Sequence, residues 1–216
     1  STTAGSVTSG AAILTLGASR LGNLSVRSTA GTGSDTLIVG CVVGQGDPAP
    51  LLIRGIGPAL AGFGLTGVLA DPVLTVTDAN NSIVATNDNW STGTNSNQTV
   101  AVTTRVGAFA LPTTALDAAL VANLTPGSYS AVVTGKTGAP GIALMEAYDT
   151  STTNTSAKLV NMSARTNVGT GGSILIAGFA IQGDAPKQLL IRAIGPSLTQ
   201  FGVTGVLADP QLALFR

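Results

Sequence analysis

Residues 51–72, LLIRGIGPALAGFGLTGVLADP, return at 189–210 as LLIRAIGPSLTQFGVTGVLADP, with 17 of 22 positions identical at an offset of 138. A match of that length is a duplication, and a duplicated chain must fold as one unit stacked on, or beside, a copy of itself. The match extends upstream, because LSVRSTAGTGSDTLIVG at 24–40 aligns at the same offset with MSARTNVGTGGSILIAG at 162–178. Arg27 therefore corresponds to Arg165, Arg54 to Arg192 and Asp71 to Asp209. The first copy runs on through Trp90 and Tyr129 to Tyr148, whereas the second ends at Arg216 with nothing equivalent to residues 80–148. The expected organisation is a complete unit at 21–150, an incomplete second copy at 151–216 and a leading segment at 1–20.

Short apolar stretches, many β-branched and bounded by Gly, Pro, Asn or Asp, occur at 13–16, 36–43, 51–56, 73–77, 83–86, 99–103, 128–134 and 142–147, with counterparts after residue 158. That pattern predicts an all-β fold, a β-sandwich of jelly-roll or immunoglobulin-like character. Residues 78–81, DANN, read as a hairpin turn, and Pro126-Gly127 as a second turn. Pro58 and Pro196 suit the first position of a short helical turn that Gly64 and Gly202 would stop. Residues 116–124, LDAALVANL, mix helix-forming composition with alternation and are read as a strand.

Half of a β-unit would leave open strand edges and an uncovered apolar face. The leading segment offers a remedy, since GAAILTLG at 10–17 resembles GIALMEAY at 141–148, the last strand of the full unit. Ala11, Ala12, Ile13, Leu14, Thr15 and Leu16 are thus expected to form a donor strand. Inserted into the half-unit of a neighbouring copy by β-augmentation, it would build a head-to-tail contact that propagates into a filament.

The ten basic and ten acidic residues give zero net charge and no basic footprint, so nucleic acid is not an expected partner. The longest apolar runs, 37–43 and 174–181, fall well short of the roughly 20 residues of a spanning helix, so membrane insertion is not expected. Low charge, at 9%, with abundant Ser, Thr, Asn and Gly points outside the cell, to a chain secreted after signal-peptide removal. With no histidine, Ser-His-Asp and Cys-His chemistry has no base. A glycosidase would have to draw its two carboxylates from Glu146 and nine Asp, and Glu146 lies in an apolar strand rather than a cleft loop. The chain is not expected to be an enzyme. Cys41 aligns with Phe179 and reads as a buried thiol in a slot that accepts a large apolar side chain.

Three groups of residues are candidates for more than packing. Arg54 and Arg192 interrupt apolar strands and need partners, because an unpaired buried charge is costly. Asp71, Asp209 and Glu146 are the carboxylates at hand, within a unit or, for one arginine, across a subunit junction. Asp78, Asn80 and Asp88 concentrate oxygen ligands in TDANNSIVATNDNW, where calcium is the candidate ion, although Asx residues also favour turns without any metal. No other cofactor is implied. Trp90 could offer a ring to surface glycans, and Asn-x-Ser/Thr sequences occur at Asn23, Asn89, Asn97, Asn123 and Asn154 among others.

The succession GTG, LIRxIGPxL, FGxTGVLADP, ATNDNW, PGSYSAVVTGK and GIALMEAYD resembles a β-sandwich repeat of large predicted cell-surface proteins from environmental bacteria such as Verrucomicrobia. The resemblance covers nearly the whole chain. It implies an extracellular structural role and assigns no catalytic residues. Together these readings predict a structural subunit of an extracellular bacterial filament or surface fibre, a homopolymer joined by β-strand complementation. The alternative is a carbohydrate- or surface-binding adhesion module, marked by exposed Trp90 or Tyr129 on a concave face.

Overall fold

The structure is a computed structural model that describes residues 19–93, 95–152 and 156–215. Ten strands form two antiparallel five-stranded sheets that face each other across one core. The first eight are β1 (Arg20–Ala30), β2 (Leu37–Val43), β3 (Ala49–Ile56), β4 (Pro72–Asp78), β5 (Ile83–Asn87), β6 (Ala118–Leu124), β7 (Gly127–Gly135) and β8 (Gly141–Asp149). They lie in the orders β1-β8-β3-β6 and β5-β4-β7-β2. Consecutive strands change sheet at every step except β4 to β5 and thus wrap around the core in the manner of a jelly roll. The all-β sandwich expected from the sequence is the fold observed.

Alternation explains most of these strands. Leu37, Val39, Cys41 and Val43 of β2, Leu74 and Val76 of β4, and Tyr129, Ala131 and Val133 of β7 point into the core, with the intervening residues facing out. β3 departs from the pattern, because Leu52, Arg54 and Ile56 on its outer face are as buried as Leu51 and Ile53 on its inner face. A second layer covers that outer face. A 3-10 turn (Pro58–Phe63), Trp90 and Leu111 pack there around Ile56 and Ala119.

The turns follow local chemistry. Pro58 opens its 3-10 turn and Gly64 ends it at φ 79, and Pro196–Phe201 repeats the design with Gly202 at φ 76. Asp78 Oδ1 accepts hydrogen bonds from the Asn80 and Ser82 amides (2.8 and 2.9 Å), which fixes the β4–β5 hairpin. Residues 99–103, expected as a strand, belong instead to a helix, α1 (Ser96–Arg105). Their β-branched composition favours a strand locally. What prevails is the i, i+3, i+4 stripe of Thr99, Val102 and Thr103, which the helix buries in one face.

The second copy supplies β9 (Leu159–Arg165) and β10 (Ile176–Gln182), the counterparts of β1 and β2. β10 extends the first sheet beside β1, and β9 extends the second beside β2. The two registers are reciprocal. Val26 faces Ala177 and Val39 faces Ala164, while Ser25 faces Gly178 and Gly40 faces Ser163. At the offset of 138, each pair maps onto the other with the copies exchanged, so the units meet across a pseudo-two-fold axis. Met162, Ala164 and Leu175 extend the first unit's core through this contact.

Candidate functional site

Beyond β9 and β10 the second copy changes character. Its counterpart of β3, residues 187–194, makes no ladder, and neither does 210–215, the counterpart of β4. These two segments, expected as strands, are not strands here. Leu52 is fully buried between β8, β6 and the outer layer, whereas its counterpart Leu190 is 84% exposed; Val76 is fully buried and its counterpart Leu214 is 69% exposed. Each such side chain forgoes about 1.5–3 kcal/mol of burial. β8 and β6 flank β3, and β5 and β7 flank β4, in the complete unit. Among the described residues, no strands flank the counterparts of β3 and β4 in the second copy.

Its local conformation nevertheless matches the complete unit. Gly195 (φ −123, ψ −83) repeats Gly57 (φ −130, ψ −77), and a Cβ on either would stand 2.0 Å from a backbone oxygen, that of Leu207 or Leu69. The second copy thus holds its turn as the complete unit does, with no described strand covering it.

Arg54 explains what the missing strand contributes. It is fully buried, directly opposite Glu146 on β8. Its Nε donates to Glu146 Oε2 at 2.9 Å, its Nη2 pairs with the same oxygen, and its Nη1 donates to the Phe109 carbonyl at 2.6 Å. The Phe109 ring lies 4.5 Å from the guanidinium carbon. Glu146 Oε1 accepts from Tyr148 Oη (2.9 Å) and from Ser25 Oγ (3.2 Å) on β1, the strand on the other side of β8. Burial, reinforced by the Glu146 charge, pushes the Tyr148 phenol well above its ordinary range. The result is a lateral row, Arg54-Glu146-Ser25, across three adjacent strands.

The other candidates fall elsewhere. Asp71 and Asp209 pair with neither arginine: Asp71 sits just before β4, in the opposite sheet from β3, and Asp209 is exposed with no ionic partner among the described residues. Asp78 and Asp88 lie at opposite ends of the β4–β5 hairpin, since Leu74 faces Asn87, the residue before Asp88. Asp78 caps its turn, and Asp88 pairs with Lys136 at 2.6 Å, which raises the lysine pKa. The structure thus does not gather Asp78, Asn80 and Asp88 into one ligand set, and no metal-binding group occurs among the described residues. Trp90 is buried with Nε1 donating to the Pro112 carbonyl, and Tyr129 is buried with its hydroxyl on Thr125, so neither presents a free ring. Burial pushes the Cys41 thiol up to about 11. The expected donor, Ala11 to Leu16, lies outside the described residues.

Asp117 was not anticipated from sequence. It is fully buried, accepts from the Gly57 and Ala59 amides (2.8 and 3.3 Å) and so anchors the 3-10 turn; desolvation raises its pKa against those bonds. A groove of about 410 Å³ runs beside the Arg54 cluster, lined by Ser25, Arg27, Phe63, Phe109, Leu144 and Ile176. It is almost wholly apolar. No helix among the described residues is long and apolar enough to cross a membrane. No family model, curated protein or solved structure matches the chain.

Proposed function

We propose that the chain is a structural subunit of an extracellular bacterial filament or surface fibre that polymerises head to tail by β-strand complementation. The observation that carries this reading is the open part of the second copy, 187–194 and 210–215, where Leu190 and Leu214 stand exposed while their counterparts Leu52 and Val76 are buried. A strand from a neighbouring subunit would enter beside β9 and pair with 187–194. Main-chain ladders would give the junction strength, and alternate apolar side chains would set its register. The sequence nominates Ala11 to Leu16 as the donor. Zero net charge suits the role, because such subunits associate without long-range repulsion.

An exposed Trp90 or Tyr129 would have favoured the alternative, a carbohydrate- or surface-binding adhesion module of a larger cell-surface protein, and both rings are in the core. Negative-stain electron microscopy of the intact chain beside a variant lacking residues 1–20 tests the polymer. Filaments that vanish on deletion support it. Dispersed single molecules in both samples would overturn it.

A further inference from the structure

The acceptor is more exacting than its apolar surface suggests. In the complete unit β8 lies between β1 and β3 and carries Glu146 between Ser25 and the fully buried Arg54. The second copy repeats both flanks of this row. Ser163 on β9 is the counterpart of Ser25 and faces Gly40, just as Ser25 faces Gly178; Arg192 is the counterpart of Arg54. Among the described residues no strand pairs with β9 on its free side, and Glu146, the chain's only glutamate, is engaged by Arg54. Arg192 is exposed and has no ionic or hydrogen-bonded partner among the described residues.

Any strand that pairs with 187–194 on its β8 side will take Arg192 out of water. Burying that guanidinium without a carboxylate would cost more than the ladder bonds beside it return. Aligned with 141–148, the segment at 10–17 places Thr15 where Glu146 stands. A hydroxyl accepts a hydrogen bond there but neutralises no charge. A lone strand also fills only one place, whereas in the complete unit four strands, β5, β6, β7 and β8, two in each sheet, cover what β1 to β4 leave open.

We infer that the slot between β9 and residues 187–194 selects a β-strand bringing a carboxylate between Ser163 and Arg192, and that its occupant is the glutamate-bearing strand of a complementary half-unit of this same repeat. Residues 141–149 exemplify such a strand. The inference rests on the acceptor half of the proposed function and not on the identity of the donor.

Three fluorescein-labelled peptides with lysine tails test it against the intact chain by fluorescence anisotropy: residues 140–150, the same peptide with Glu146→Gln, and residues 9–18. The glutamate peptide should bind about tenfold or more tightly than the glutamine peptide, a preference that Arg192→Gln in the protein removes. Equal affinities, tighter binding of the 9–18 peptide, or no binding at all would overturn the inference. Glutamate-selective binding by a chain that forms no filaments would uphold the slot and sink the polymer. Filaments lost on deleting residues 1–20, with no peptide preference, would do the reverse.

Discussion

Arg54 shows how one residue can be read as a demand before its answer is known. A guanidinium inside LLIRGIG must be paired, and that much follows from the sequence; the partner does not, because Glu146 is 92 positions away and only the β3–β8 register brings the two face to face. Asp71 is nearer in sequence and in the wrong sheet. The pair is sealed by Phe109, Tyr148 and Ser25, so removing the carboxylate's charge leaves Arg54 buried with a neutral partner. Glu146→Gln is expected to cost about 3–5 kcal/mol in urea unfolding, and the double variant Arg54→Met, Glu146→Leu should regain most of that. A loss under about 1 kcal/mol for the single variant would mean that water reaches the pair. Trp90 illustrates the opposite limit. Its type suggested a sugar platform, and only its surroundings, Leu111, Ile56 and the Pro112 carbonyl, reveal it as core.

At the scale of elements, strands with β-branched or large apolar inward residues were readable, among them β2, β3, β4, β7 and β8. The proline-glycine frames of the 3-10 turns were too. β1 and its counterpart β9 carry few large apolar residues. β1 alternates Gly22, Leu24, Val26, Ser28 and Ala30 toward the core, a pattern of small residues that hydropathy passes over although β1 is the longest strand described and the site of contact between the copies. Helix α1 failed for a different reason, because T-V-A-V-T-T satisfies a strand's composition as well as a helix's stripe. Val100 decides between the two. It is about half exposed on α1, so Val100→Ala should raise stability by a few tenths of a kcal/mol, as helix propensity requires. A strand at the same place would lose a β-branched residue and destabilise. The urea midpoint of the variant against the parent separates these outcomes.

For the whole molecule the decisive relation is the pseudo-two-fold contact. It closes the β1 and β2 edges of the complete unit with β10 and β9, so the sheet that contains β1 continues into the counterpart of β2, and the sheet that contains β2 into the counterpart of β1. Edges closed in this way are protected from further pairing, and the sheet edges left free are β5 and β6 of the complete unit and β9 and β10 of the second copy. Repeat arithmetic located that open half but not its docking, because register between copies depends on which edges the jelly roll leaves free. The arrangement predicts a sharp contrast in amide hydrogen exchange. In the dispersed chain the amides of β1 and β2 that face β10 and β9 should exchange slowly, while those of 187–194, which donate to no ladder, should exchange near the rate of an unstructured peptide. On assembly, or on addition of a strand that fits, 187–194 should gain protection while β3, already paired on both sides, stays unchanged. Protection of 187–194 before assembly would mean that the chain closes its own second copy, and the acceptor would not exist.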